Sequence, residues 1–368
     1  MKGSSLFLCP KFLADGTRND VHCVSIEHKL GIKASPTAVL QYGDHGGATG
    51  WLIGQENRGL EYMFIMMNAA RYAVGVQGVA IAERAYQKAV AYARDRVQSR
   101  PVDGSLNKAA PIIHHPDIKR MLMTMRAYTE GCRAMALVAA SAYDAAHHHP
   151  DAQARQQNAA FYEFLVPLVK GYSTEMSLEV ASLGVQVHGG MGYIEETGAA
   201  QYLRDAKILT IYEGTTAIQA NDLVGRKTAR DGGQVGKAIA GRIEATEAAL
   251  AQRSSAACKA MHKHLRAARA AFLEVVDFVA GQTKASPNAV FAGSVPYLML
   301  AGNVVAGWQM ARALIVAEDR RAEDAAFMDA KIATTRFYAE HILSKVPGIR
   351  DSIVEGHAAV NEMALEAF

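Results

Sequence analysis

Cysteine is scarce: four thiols in 368 residues, with no CxxC pair and no spacing that fits metal ligands. Cys9, Cys23, Cys132 and Cys258 therefore read as isolated thiols, and a reducing cytoplasm is their simplest home. An excess of one charge is missing too. Thirty-nine Lys and Arg stand against 36 Asp and Glu, a formal net charge of +3, and the two signs alternate, so nothing calls for nucleic acid. There is no GxGxxG after a strand, no P-loop, no HExxH and no GxSxG elbow. The run His147-His148-His149 has no acid or cysteine beside it and Pro150 follows, so it reads as a solvated loop and no metal site is expected. The opening residues lack an h-region and a small-residue cleavage site, so no secretory signal is expected. One uncharged stretch, 285–311, is long, but Pro287, Asn288, Pro296, Asn303 and Gln309 interrupt it. It reads as a buried helix from about Val295, not as a membrane span.

What is present is ordinary globular chemistry: half the residues are hydrophobic and a fifth charged, in a chain long enough for two or three domains. Residues 1–56 carry short runs rich in β-branched and aromatic residues at 5–9, 21–26, 38–42 and 50–53, separated by turn formers. They predict a small sheet of three or four strands with open edges. From Asn57 the apolar period changes to that of a helix, through Leu60, Met63, Phe64, Met67 and Val74, with Gly75 and Gly78 as close-packing positions. Further helices are predicted at 115–146, 152–172 continuing through 173–186, 193–205, and after Glu213, carrying Ile218, Leu223 and Val224. Asp231-Gly232-Gly233-Gln234 reads as a linker. Beyond it lie Ala-rich amphipathic stretches at 235–254, 257–282, 295–320 and 325–345. The expected fold is mainly α with a small β part, divided as 1–56, 57–228 and 235–368.

One stretch, 205–219, draws the rest together. An apolar run through Ile208, Leu209, Ile211 and Tyr212 delivers a single carboxylate, Glu213, followed by Gly214, Thr215 and Thr216. An acid among apolar residues is poorly hydrated, which favours its neutral form and suits a general base near neutral pH. The glycine lets backbone approach a ligand. On local chemistry alone a solvated helix end explains the same residues.

Arg204-Asp205-Ala206-Lys207 leading into Ile211-Tyr212-Glu213-Gly214-Thr215 resembles the C-terminal signature of the acyl-CoA dehydrogenases. Gln186-Val187-His188-Gly189-Gly190-Met191-Gly192-Tyr193 is similar to that family's flavin-contacting glycine turn, and Leu30-Gly31-Ile32-Lys33-Ala34-Ser35-Pro36 to its LGxxxSP segment. The resemblance implies the latter half of the family β-domain at 1–56, its four-helix bundle at 57–228, and at 235–368 the helical extension of one long-chain subgroup. It implies oxidation of acyl-CoA thioesters to 2-enoyl-CoA, with Glu213 removing the α-proton while the β-hydrogen passes as hydride to FAD. Electrons would go on to an electron-transfer flavoprotein. A homodimer would share the flavin sites.

The same resemblance assigns Arg96 to the FAD pyrophosphate, a role that suits a guanidinium fork. It assigns Gln98, His115, Gln186, Gly189, Gly190 and Thr215 to further flavin contacts. Asn68 and Arg71, three apart on one helix face, would meet the CoA end of the substrate. Tyr212 and Gly214 would line the acyl site beside Glu213. Residue chemistry alone leaves other readings: an interhelix ion pair for Arg71, helix-start packing for His115, a plain C-cap for Gly189-Gly190. Four residues depart from the family pattern: Ser99, Arg100, Pro116 and Ala217. The family's N-terminal helical domain and first strands do not match anything in these residues. The expectation is a C-terminal portion, a truncated frame or half of a split enzyme, and the competing class is a non-catalytic scaffold.

Overall fold

The computed structural model describes residues 3–368. The β-branched and aromatic runs near the start form β1 (Leu6–Leu8), β2 (Val21–Ile26), β3 (Ala38–Tyr42) and β4 (Trp51–Ile53). They do not join into the one predicted sheet. β1 pairs antiparallel with β4, Leu6 opposite Ile53, and β2 pairs antiparallel with β3, Val21 opposite Tyr42, with a bulge between Cys23 and Ser25. Asn19 accounts for the break. Its buried amide donates to the carbonyls of Pro10 and Thr49, each at 2.8 Å, and accepts the Thr49 N–H at 2.9 Å. A side chain thus takes backbone groups that a continuous ladder would use.

The remainder is helical: α1 (Gly59–Asp95), α2 (Pro116–His148), α3 (Ala152–Pro167), α4 (Ser173–His188), α5 (Ala199–Leu209), α6 (Thr216–Asp222), α7 (Gln234–Ala251), α8 (Ala256–Gln282), α9 (Pro287–Ala292), α10 (Ser294–Asp319), α11 (Ala325–His341), α12 (Val346–Val354) and α13 (His357–Asn361). Two π turns interrupt the ladder, Leu168–Tyr172 between α3 and α4 and Leu223–Ala229 after α6. The first follows Pro167, which has no N–H to continue the regular bonding. Where one helix was predicted over 193–205, two short 3-10 turns, Gly189–Tyr193 and Glu195–Thr197, precede α5. Gly198, at φ +77°, resets the chain direction there.

The chain divides into two compact units, one up to Ala70 and one of Arg71–Phe368. The predicted boundary at 57 marks where strands give way to α1, whereas the division by packing falls inside that helix. Within the second unit one apolar core runs through Val79, Met135, Leu165, Phe272, Val304 and Ile353. The turn at 231–234 redirects the chain, and the core is continuous across it. α10 lies at the centre of this core and buries most of its length, which explains its uncharged sequence. By length and composition α1 and α10 could each cross a membrane. α1 meets the first π turn closely: a Cβ on Gly75 would sit 2.3 Å from the Val169 carbonyl oxygen, so only glycine fits.

Candidate active site

The loop between α5 and α6 presents Glu213, half-buried, at φ +53°, with Gly214 next at φ +88°. A non-glycine residue in the left-handed region costs on the order of 1–3 kcal/mol and persists only where its surroundings fix it. They do so here. Gln219 Nε2 donates to the Glu213 carbonyl at 3.3 Å, the Thr216 N–H donates to the Thr210 carbonyl at 3.1 Å, and the Thr215 hydroxyl accepts the Ile218 N–H at 3.3 Å. From beneath, the fully buried Lys170 ammonium donates to the carbonyls of Leu209, at 2.9 Å, and Gly214, at 2.6 Å. Lys170 sits on the π turn, which aims it at both ends of the loop. Burial pushes its pKa down to about 8. The carboxylates of Glu175 and Glu213 pull it up, and the Arg71 cation adds to the lowering. Glu175 in turn accepts the Thr216 hydroxyl at 2.5 Å. Glu213 thus stands within the field of an ammonium as well as among apolar residues.

Around this loop the predicted substrate residues are dispersed. The Tyr212 hydroxyl donates to Gln77 Oε1 on α1, and burial, then the Glu213 charge, raises its pKa. Arg71 is buried and joins α1 to α6 by an ion pair, Nη1 to Asp222 Oδ2 at 3.4 Å, while its Nε has no hydrogen-bond partner. Arg226 completes the arrangement 3.5 Å from the other Asp222 oxygen. Asn68 belongs to the first unit and lies half-buried on α1.

Six of the seven predicted cofactor residues meet elsewhere. Arg96, Gln98, His115, Gln186, Gly189 and Gly190 line one cavity of about 650 Å³. Thr215 does not line it; its hydroxyl caps α6. Backbone pairing of Gln98 and Ser99 with Ala110, and of Arg96 with Ile112, holds the wall that carries Arg96 and Gln98. His115 Nε2 donates to the Gln98 carbonyl at 2.8 Å, fixing the ring against that wall. On the opposite wall His188 donates from Nδ1 to the Gly184 carbonyl at 2.7 Å and stacks on Tyr92 at 4.3 Å between ring centroids. Burial lowers its pKa, so it stays neutral beneath the glycine turn. Gly189 has φ +58°, and a Cβ on Gly189 or Gly190 would meet no atom of the chain within 4 Å. Bare backbone thus faces the cavity. Arg96 and Arg100, both on its wall, form no ion pair among the described residues. Two unpaired guanidinium groups, two amide side chains and a bare glycine turn suit a dinucleotide: a pyrophosphate for the arginines, a flat group for the turn.

Several of these residues escaped the sequence reading. Lys170 was visible as a lone cation in the apolar run 164–172, but its two carbonyl partners lie about 40 residues away. Gln219, Glu175 and Asp222 carry no local signal. Arg100 was noted only as a departure from a pattern.

Residues 57–227 match the family described as acyl-CoA dehydrogenase, C-terminal domain, and 239–364 match acetyl-CoA dehydrogenase C-terminal like. The chain belongs to the acyl-CoA dehydrogenase family. It is 56% identical over 350 residues to 3-methylmercaptopropionyl-CoA dehydrogenase of Ruegeria pomeroyi, covering 93% of this chain and 59% of that protein. It is 35% identical over 383 residues to a broad-specificity linear acyl-CoA dehydrogenase of Mycobacterium tuberculosis, covering 96% and 61%. The chain thus spans about three-fifths of the length of these curated relatives. In fold, this family member is similar to an acyl-CoA dehydrogenase of Bacillus anthracis solved with FAD, with TM-score 0.73 and 20% identity, over 99% of this chain and 60% of that one. It is equally similar to Caenorhabditis elegans ACDH-11 solved with C11-CoA, with TM-score 0.73 and 20% identity, over 95% and 56%. Both likenesses extend the mainly α architecture, with its small β part, to the whole chain.

Proposed function

We propose that the protein oxidises acyl-CoA thioesters to 2-enoyl-CoA with FAD as hydride acceptor, and that Glu213 is its base. The observation that carries this reading is the Glu213 loop: a carboxylate held at positive φ by Lys170, Gln219 and Thr215, within the family signature. Glu213 would take the α-proton of the thioester. The Glu213 N–H would donate to the thioester carbonyl, acidifying the α-carbon and stabilising the enolate-like transition state. Bound FAD would supply the two-electron acceptor for the hydrogen leaving the β-carbon. Tyr212 and Gly214 would flank the acyl group, and Arg71, with Asn68, would meet the CoA end.

Arg96, with Gln98 and His115, would hold the pyrophosphate side of a flavin, and Gln186, Gly189 and Gly190 the adenosine side. Thr215, which does not line that cavity, would reach a flavin phosphate of the other site. Separation of these two groups on one chain is what a homodimer with shared flavin sites requires. An electron-transfer flavoprotein would receive the electrons, and the four free thiols fit a cytoplasmic setting. The 56% identity to a 3-methylmercaptopropionyl-CoA dehydrogenase makes a short methylthio-acyl thioester the first substrate to assay.

The test is exchange of the substrate's α-hydrogen with deuterated water, followed by mass spectrometry on the flavin-loaded protein. Glu213→Gln keeps the shape and removes the acceptor, so exchange should fall by about two to four orders of magnitude while acyl-CoA binding persists. Exchange near the parent rate would refute the assignment.

A further inference from the structure

A second cluster of chemistry lies in the first unit. Asp20, just before β2, and His22, on it, are two apart, so their side chains share one face. His45 arrives on the loop 43–47, whose glycines Gly43, Gly46 and Gly47 all have positive φ, at +83°, +115° and +106°. Both rings turn onto one oxygen. His22 Nε2 lies 3.2 Å and His45 Nδ1 3.3 Å from Asp20 Oδ1, and the three atoms lie within 4.8 Å of one another. The other carboxylate oxygen is fixed by backbone: Oδ2 accepts the N–H of His45 at 2.5 Å and of Gly47 at 3.3 Å.

The separations are informative. Ligand bonds of about 2.0–2.1 Å to a tetrahedral ion place neighbouring ligand atoms about 3.3–3.4 Å apart. Two imidazoles and a carboxylate are the donor set of Zn2+ and its neighbours. The Asp20 side chain is 9% exposed while His45 is 75% exposed, so the carboxylate is set in place and the ion would have an entry path.

We infer that Asp20, His22 and His45 form a site for one divalent transition-metal ion of the Zn2+ type, held by Asp20 Oδ1, His22 Nε2 and His45 Nδ1 with water completing the tetrahedron. Its consequence is structural. β2 and β3 form a two-stranded ribbon whose residues are mostly exposed, and such ribbons have little stability of their own. An ion bridging residues 25 apart ties the loop to the ribbon, and because the site exists only in the folded chain its binding stabilises that state.

The chain, stripped with EDTA and returned to metal-free buffer, is titrated with ZnCl2 by calorimetry and with CoCl2 by visible absorption. The expected result is one equivalent bound, an intense tetrahedral Co2+ spectrum, and a rise in the melting temperature with Zn2+ concentration. H45A, at an exposed position, keeps the fold and should weaken affinity by more than about 100-fold, beyond the loss of an outer-shell partner. Replacing His147, His148 and His149 together by alanine should leave binding unchanged. Absence of saturable binding would mean a hydrogen-bonded cluster only and overturn the inference. So would a weak octahedral Co2+ spectrum, or binding retained by H45A and lost with the histidine run.

Discussion

Replacing Lys170 by methionine separates the charge beneath the Glu213 loop from the shape that carries it. In the folded chain the ammonium is fully buried and its pKa falls from 10.5 to about 8. Each pKa unit corresponds to about 1.4 kcal/mol, so the protonated form is disfavoured on folding by roughly 3 kcal/mol. The sign follows from proton counting. Below pH 8 both folded and unfolded chains carry the ammonium, and the full cost is present. Between pH 8 and 10.5 the unfolded chain binds a proton that the folded chain has released, so stability rises with pH; above 10.5 both are neutral and the contribution is constant. Against that cost stand two charge-assisted bonds, to Leu209 and Gly214, each contributing about 1.5–3 kcal/mol. Near pH 7 the two nearly offset, and Lys170→Met should change stability by no more than about 3 kcal/mol. From pH 8 to 10.5 the stability of the parent relative to Lys170→Met should rise by about 3 kcal/mol. Urea unfolding followed by circular dichroism, with both proteins measured across that range, reads the difference directly and cancels other titrating groups. A pH-independent difference, or one that shrinks toward pH 10, would refute a buried protonated lysine.

Arg96→Ala should weaken FAD binding by roughly 10- to 100-fold, the loss of a charge-assisted phosphate contact, as read by flavin fluorescence quenching, and Arg96→Lys should restore little of it. Gly189→Ala forces a side chain into φ +58° at a cost of about 1–3 kcal/mol and places a methyl on the cavity wall, so both melting temperature and FAD affinity should fall. Light scattering at micromolar concentration should give the mass of a dimer; a monomer there would argue against flavin sites shared between copies.

The helical content was legible because its period is written in residues three and four apart in α1, α2 and α8, while α10 was read from its long uncharged stretch. Short elements without such a stripe, α9, α12 and α13, were missed. Strand positions were readable at 6–8, 21–26 and 38–42, but pairing was not, since it depends on the Asn19 amide bridging residues 10 and 49. Glu213 and the cavity residues came from motifs, and the cavity residues meet in the fold because the Gln186–Gly190 turn packs opposite Arg96 and Gln98. The groups that hold Glu213 could not be read, because Lys170 is brought to its loop only by tertiary packing. The positive φ of Glu213 likewise has no signature beyond the glycine that follows.

If Glu213 initiates acyl-CoA oxidation by a flavin held by this chain, the visible flavin spectrum under anaerobic conditions will report it. The FAD-loaded protein, mixed with a methylthio- or linear acyl-CoA, should lose its oxidised flavin band and yield 2-enoyl-CoA, while the Glu213→Gln protein keeps the band despite binding the thioester. A flavin band that persists in the parent protein with every acyl-CoA, or that bleaches equally in Glu213→Gln, would contradict the account.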